Sequence, residues 1–143
     1  MRALVVLSGL MIVAAGQAAG QAGERGLARA AEGARRAWHR HDTRTLMAPA
    51  IHGIRLRVPG ADPSGPVSRA QGAALLREYL AGAEEVTTTV KAARVVTSGR
   101  GYVELSRRYR VSGTSETRAQ LVLLSYLEEG GTWVLVELRL TRN

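Results

Sequence analysis

Residues 86–141 read VTTTVKAARVVT SGRG YVELSRRYRV SGTSET RAQLVLLSYL EEGG TWVLVELRLT, and this stretch decides the fold. Four runs rich in β-branched and aliphatic residues are separated by short breaks that contain glycine. Such runs are typical of strands, and such breaks are typical of hairpin turns. The sequence therefore predicts an antiparallel meander with strands over 86–97, 102–111, 118–127 and 132–141.

Two helices are predicted upstream of the meander from the spacing of apolar residues. The first covers 24–38, where apolar residues recur every three or four positions. The other covers 68–80, where Ser68 and Gln71 have the spacing of a capping box. Each helix thus offers one apolar face to a sheet.

The chain between these helices predicts a short helix and a short strand. Asp42 is suited to cap a second helix that Pro49 ends. Ile54 to Val58 (IRLRV) then alternates apolar and basic residues, as a strand does. The predicted order is α-α-β-α-β-β-β-β. Helices grouped before an antiparallel sheet predict an α+β fold in which a curved sheet wraps over them.

The first residues have the pattern of a secretory signal peptide. A positively charged start precedes an apolar run from Ala3 to Ala15, which is shorter than the ~20 residues that span a bilayer. Small side chains at Gly20 and Ala22 predict cleavage after Ala22. We expect a signal peptide over 1–22 outside the fold and one domain over 23–143.

The composition narrows the possible functions. The chain has no cysteine, which excludes disulfides, thiolate metal sites and cysteine nucleophiles. Its net charge of +8, almost all from arginine, favours anionic partners. For an exported protein, whether periplasmic or secreted, these would be lipid headgroups or envelope polymers rather than nucleic acid. We expect no membrane span once the signal peptide is removed.

Few residues are candidates for acid–base chemistry. His41 lies next to Asp42, although a helix cap at an inter-helix corner explains this pair equally simply. Tyr79 on the 68–80 helix and Glu104 on a strand complete the catalytic candidates. The sequence holds no metal-ligand spacing, phosphate-binding loop or nucleophile motif, so we expect no metal and no cofactor. This pattern favours a non-catalytic domain.

Four residues are candidates for ligand binding. Arg55 and Arg57 share one face of the IRLRV strand and would form an anion-binding cavity if that face pointed inward. Charged side chains usually face water, so a mostly apolar pocket with Tyr79 and Trp38 at its wall is the favoured alternative.

The last two strands are apolar on both faces. The face predicted to pack on the helices carries Val134, Val136, Leu138 and Leu140. The opposite face carries a second apolar band, which we predict as a protein interface: Val122, Leu124, Tyr126, Trp133 and Leu135. Burial of this band by strong sheet curvature and loops is the alternative.

The chain resembles the nuclear transport factor 2-like superfamily, a cone-shaped, cystatin-like α+β fold that includes ketosteroid isomerases and SnoaL-type polyketide cyclases. The resemblance rests on 37–42 (AWHRHD) with Leu46 behind it, on the 68–80 helix and on the four closing strands. The chain is most similar to small exported bacterial members of this superfamily that have no assigned activity. The resemblance implies a homodimer through the outer sheet face. The resembling isomerases place an acidic strand residue inside the cone, and no acid lies on a predicted inward face here.

These observations lead to one functional hypothesis and two alternatives. The hypothesis is an exported, non-catalytic domain that binds a small apolar or anionic ligand, or a protein, as a homodimer. The first alternative is a cyclase- or isomerase-type enzyme, which requires an ionisable side chain inside the cone. The second is a basic adaptor that binds anionic envelope polymers.

Overall fold

A computed structural model describes residues 10–60, 65–97 and 99–141. Three helices and five strands are formed by these residues, in the predicted order, so the α+β prediction is confirmed. None of the described helices has the length and apolar character that crossing a membrane requires. The elements are α1 (Leu10–His39), α2 (Thr43–Met47), β1 (Arg55–Arg57), α3 (Arg69–Leu80), β2 (Ala83–Thr97), β3 (Arg100–Val111), β4 (Thr117–Glu129) and β5 (Thr132–Leu140).

The five strands form one sheet in the order β1-β5-β4-β3-β2. The short β1 runs parallel to β5, and all other pairs are antiparallel. The register between β2 and β3 shifts at three places along β2. Since each shift adds local bend and twist, the long β2–β3 ribbon curves around the helices and makes the sheet a half-open cone.

Both predicted helix caps are present. Asp42 accepts a hydrogen bond from the Thr45 amide at 3.2 Å, and Ser68 accepts one from Gln71 at 3.1 Å. These bonds satisfy amide groups that have no partner inside the helix. The hydrogen bonds from Thr45 also hold the pKa of Asp42 below its ordinary value.

The hydrophobic core lies between α1, α3 and the concave face of the sheet. The apolar stripe predicted on α1 is buried, with Leu27, Ala31 and Ala34 each at most 7% exposed and Trp38 fully covered. From α3, Leu76 and Leu80 join the same core. The two long helices thus hold the sheet through one continuous apolar contact.

The predicted assignment of the two sheet faces was wrong. All five residues of the predicted interface band belong to the core: Val122, Leu124, Tyr126, Trp133 and Leu135. Val122 and Leu124 pair with the core-facing Leu140 and Leu138. For Trp133 and Leu135 the cause is a β-bulge in β5, where Ser125 pairs with Glu137 and Tyr126 with Leu135, leaving Val136 without a partner. One extra residue shifts the alternation, so Leu135 and Leu138 both face inward.

The amino-terminal part of α1 contacts the domain from Gly23 onward. Gly20, Gln21 and Ala22 are exposed, whereas the Gly23 carbonyl accepts a hydrogen bond from Trp133 Nε1 at 3.1 Å. The helix itself runs from Leu10 through Ala22 without a break. Residues 1–9 of the predicted signal peptide lie outside the described residues, and cleavage after Ala22 stays a prediction.

Candidate functional site

An ion pair lies inside the cone, on the concave face of the sheet. Arg107 of β3 and Glu85 of β2 face each other there, and their side chains are 1% and 2% exposed. Arg107 Nε donates to Glu85 Oε2 at 3.1 Å, and Nη2 donates to Oε1. This two-point geometry matches the fork of a guanidinium to a carboxylate. Burying two charges is costly unless their remaining polar atoms are also bonded.

Further polar side chains complete the bonding of Arg107. Its Nη1 donates to Gln120 Oε1 at 2.9 Å. The amide nitrogen of Gln120 in turn donates to the Thr141 carbonyl at 2.9 Å and to the Tyr79 hydroxyl at 3.2 Å. The network therefore connects β2, β3, β4 and α3 across the cone.

Two aromatic rings lie against the guanidinium of Arg107. Its central carbon is 3.9 Å from the centroid of the Tyr109 ring and 5.1 Å from that of Trp38. Ring faces attract a cation most strongly where water is excluded. The two rings thus help to hold the positive charge inside the core.

His41 contacts the same carboxylate from the end of α1. The helix ends in a Schellman motif, in which the His41 amide bonds the Trp38 carbonyl and the Asp42 amide bonds the Ala37 carbonyl. His41 there adopts a left-handed φ of 54°. Its Nε2 lies 3.0 Å from Glu85 Oε1, and because a carboxylate only accepts, Nε2 carries the proton of this bond.

The donors of Arg107 and His41 use most of the accepting capacity of the Glu85 carboxylate. Arg107 bonds both of its oxygens, and His41 bonds one of them a second time. A general base needs a free lone pair within reach of the proton that it removes. The arrangement suits Glu85 to balance the charge of Arg107, and it leaves the carboxylate poorly placed to accept a proton from a substrate.

A small cavity opens at the mouth of the cone beside Arg107. It encloses about 210 Å³, and its walls include Tyr79, Ala83, Arg107, Tyr109, Val111 and Arg118. Within the described part of the chain, the Tyr79 hydroxyl accepts from Gln120 and has no acceptor for its own proton. Arg118 donates to Glu116 at 2.9 Å in a half-exposed pair and also forms a side-chain hydrogen bond with Tyr109. The cavity therefore presents hydrogen-bond donors.

The structure brings three of the predicted site residues together and separates the others. Trp38, Tyr79 and His41 all contact the network around Arg107. Glu104 lies on the outer face of β3 with Lys91 4.0 Å away, so it cannot act inside the cone. The correction has a simple cause, since Glu104 alternates with core residues on β3 and must face outward.

The two predicted arginines of β1 also lie outside the cone. Arg55 and Arg57 are exposed on either side of the buried Leu56. Arg57 lies 3.6 Å from Glu137 on the neighbouring strand. This is the solvent-facing alternative of the sequence analysis, so the anion-binding face of β1 is not formed.

The central ion pair was missed by the sequence analysis. A signal for Arg107 exists, since it continues the inward alternation of Val103, Leu105 and Tyr109. Glu85 gave no such signal because β2 begins three residues before the strand predicted there. Among the described residues, no cluster of histidine and acidic side chains could hold a metal ion.

Comparison with known proteins identifies the fold. No family model matches the chain, and no curated protein matches it in sequence. A ketosteroid isomerase-like protein from Erwinia carotovora atroseptica superposes with a TM-score of 0.66 at 15% identity, over 82% of this chain and 93% of that chain. A DUF4783 family protein from Bacteroides ovatus gives 0.63 at 13% identity, over 78% and 93%.

A third similar structure contains a bound small molecule. It is a protein with a ketosteroid isomerase-like fold from Catenulispora acidiphila in complex with trimethylamine, with a TM-score of 0.61 at 12% identity over 80% of this chain and 85% of that chain. At such identities the likeness shows the fold alone. The chain has the nuclear transport factor 2-like fold, and the predicted resemblance is confirmed.

Proposed function

We propose that this protein, a domain with the nuclear transport factor 2-like fold, is an exported, non-catalytic binding domain whose ligand site is the mouth of the cone. The observation that supports this most is that Arg107, fixed by its bonds to Glu85, lines the mouth cavity. Arg107 gives the cavity a fixed polar surface beside Tyr79 and Tyr109.

The chemistry of the cavity favours a ligand that accepts hydrogen bonds. Tyr79 has a hydroxyl proton to donate, and the guanidinium of Arg118, which bonds Glu116 in a half-exposed pair and also interacts with Tyr109, lies at the same cavity wall. The aromatic ring of Tyr109 offers an apolar surface beside them. A small carboxylate with an aromatic or aliphatic body combines the features that these groups bind.

The size of the cavity restricts the ligand further. Its volume of about 210 Å³ is below the ~300 Å³ at which pockets for drug-sized molecules begin. The proposed ligand is therefore of the size of a short-chain or single-ring acid.

Catalysis is the less supported alternative, although the cone does contain a buried ionisable pair. An isomerase or cyclase would need one of these groups to exchange a proton with its substrate. Glu85 instead bonds Arg107 and His41, and the ring nitrogen of His41 that faces the cone is used in that bond. Nothing in the described residues favours an enzyme over a binding domain.

Export belongs to the proposal and rests on the amino-terminal sequence. Cleavage after Ala22 would remove the exposed residues 20–22 and keep the bond between Gly23 and Trp133. Leu27, which is 1% exposed in the core, would also remain. The mature domain would thus keep the α1 contacts that hold its sheet. Mass spectrometry of the exported protein is expected to find Gly23 as its first residue.

A homodimer through the outer sheet face is a further part of the proposal. With the faces corrected, the apolar residues on that side of β4 are Leu121, Leu123 and Leu127. Leu127 is 37% exposed, whereas Leu123 is only 7% exposed even in the single chain. Leu121 is partly exposed on the same face, and a contiguous apolar band at a surface is a feature of protein interfaces.

Titration calorimetry with benzoate at ~0.15 M salt tests the ligand site, since that salt screens nonspecific attraction to a basic protein. Benzoate supplies a carboxylate and one ring, and benzylamine is the matched probe of opposite charge. We expect benzoate to bind, and Tyr79→Phe and Arg118→Gln each to weaken its binding about tenfold or more, a typical cost of one lost bond to a charged group. Arg55→Gln, an equal loss of charge on the outer face, is the control. Equal binding of the two probes would show that the carboxylate is not recognised. An equal loss in Arg118→Gln and Arg55→Gln, with none in Tyr79→Phe, would show that only bulk charge acts. Either result would overturn the proposed site.

A further inference from the structure

A second cavity lies between α1, α2 and the sheet. It encloses about 230 Å³ and shares no lining residue with the cavity at the cone mouth. It exists because α1 presents only small side chains there, while α2 and the following turn form the opposite wall. Its walls include Ala30, Gly33, Ala34, Leu46, Pro49 and Tyr126.

Tyr126 gives this cavity a polar atom. The residue is 2% exposed and stands on the concave face of β4. Within the described part of the chain, no hydrogen-bond partner is found for its hydroxyl, which is not one of the enclosed unpaired polar atoms and therefore opens onto the cavity that the residue lines. Burial raises the pKa of Tyr126, so the hydroxyl keeps its proton and remains a donor.

The other walls determine what kind of molecule could accept that proton. Among the described residues that line the cavity, none is charged, and apart from Tyr126 only Thr45 has a polar side chain. An ionised ligand would lose its hydration there without gaining a counter-charge, which is strongly unfavourable. A neutral apolar body would instead contact alanine, leucine and proline side chains.

We infer that this cavity is a second binding site, for a small neutral molecule with an apolar body and one hydrogen-bond-accepting oxygen, bound by the hydroxyl of Tyr126. Ketones, aldehydes and ethers of single-ring size have this chemistry. The site is separate from the proposed cone-mouth site, so either one can exist without the other.

Gly33 allows the cavity to be filled without disturbing the core. A Cβ built at Gly33 meets no atom within 4 Å, so a larger side chain has room to enter. Replacing a glycine inside a helix also favours the helix. Gly33→Leu should therefore block the cavity in a folded protein. Ala28→Leu, at an exposed position on the same helix, adds similar bulk elsewhere.

Ligand-observed NMR titration of the purified protein with cyclohexanone and methylenecyclohexane tests this inference. The two probes have nearly the same shape, but only the ketone accepts a hydrogen bond. We expect cyclohexanone to bind about fivefold to tenfold more tightly than methylenecyclohexane, as one buried hydrogen bond provides. Tyr126→Phe should abolish the preference for cyclohexanone, because the ketone oxygen then loses its bonds to water without gaining a donor. Gly33→Leu should abolish binding of both probes, and Ala28→Leu should change neither affinity.

Three results would overturn the inference. They are an absence of binding by both probes, unchanged binding in Gly33→Leu, and an affinity ratio that survives Tyr126→Phe. Thermal unfolding of each variant shows whether it is folded. If Tyr126→Phe does not fold, comparison of Gly33→Leu with Ala28→Leu still decides whether the probes occupy this cavity. Benzoate binding at the cone mouth serves as an independent measurement, since Gly33→Leu should leave it unchanged.

Discussion

Glu85 and Arg107 occupy neighbouring strands of the concave sheet face, with Arg107 Nε 3.1 Å from Glu85 Oε2 and both side chains withdrawn from water. A charge pair this deeply buried adds little to the free energy of unfolding compared with apolar residues of the same volume. However, removing either partner leaves the other as an unpaired buried charge. Gln120 and His41 bond the two ends of this pair, so the pair also fixes elements that surround the cone mouth.

Removing one partner of this pair should be strongly destabilising. Arg107→Met leaves the Glu85 carboxylate buried without its cation, and we expect a loss of about 3–5 kcal/mol in the free energy of unfolding. Urea denaturation measures it. The matched control is Arg110→Met, which breaks the half-exposed Arg110–Glu84 pair on the same two strands and should cost about 0–1 kcal/mol. Similar losses in both variants would mean that the buried pair has no special role.

Two glycines should respond to alanine in opposite directions. A Cβ at Gly101 would lie 2.8 Å from Leu27 Cδ1 and 3.0 Å from Trp133 Cζ3, so Gly101→Ala should cost about 1–3 kcal/mol by overpacking. Gly33→Ala adds its methyl group to open space in a helix and should gain about 0.5–1 kcal/mol. Thermal or urea unfolding measures the sign of the stability change in each variant. A Gly101→Ala variant more stable than wild type would contradict the close packing of α1 on β3.

The cap of α2 predicts a dependence of stability on pH. The pKa of Asp42 is lowered in the folded protein by its hydrogen bonds from Thr45, so its contribution is present above the unfolded pKa and is lost as pH falls through the folded one. The difference in unfolding free energy between wild type and Asp42→Ala should therefore shrink from pH 7 to pH 3. A difference that grows on acidification would contradict this sign.

The corrected sheet faces give a test of the proposed homodimer. Leu124 is fully buried in the core, so Leu124→Arg should prevent folding rather than dissociate a dimer. Leu127 is 37% exposed on the outer face, so Leu127→Arg should remain folded. Light scattering is expected to report twice the mature mass for wild type and a monomer for Leu127→Arg. If light scattering reports a monomer for the wild type, the homodimer proposal is wrong.

The order of the elements could be predicted because each has a local cause. The glycine breaks of the meander, the caps at Asp42 and Ser68, and the apolar stripe from Leu27 to Trp38 all appear in the structure. Local signals of this kind depend on neighbouring residues alone, so they predict the α+β class without knowledge of long-range contacts.

The faces and the site could not be predicted because they depend on strand pairing. The bulge at Val136 has no signature in a strand that is apolar on both faces, and it moves Trp133 and Leu135 to the core side. The meeting of Glu85 with Arg107 likewise follows from the shifted register of β2 against β3. Such shifts are set by the packing of the whole sheet, which a single sequence does not display.

The central claim is that a small carboxylate binds at the mouth of the cone, and the most direct measurement is of nuclear Overhauser effects between benzoate and the protein. The account predicts effects from the benzoate ring protons to the rings of Tyr79 and Tyr109, which line the mouth. Effects only to residues of the outer sheet face, such as Leu127, or no effects at saturating benzoate, would contradict it.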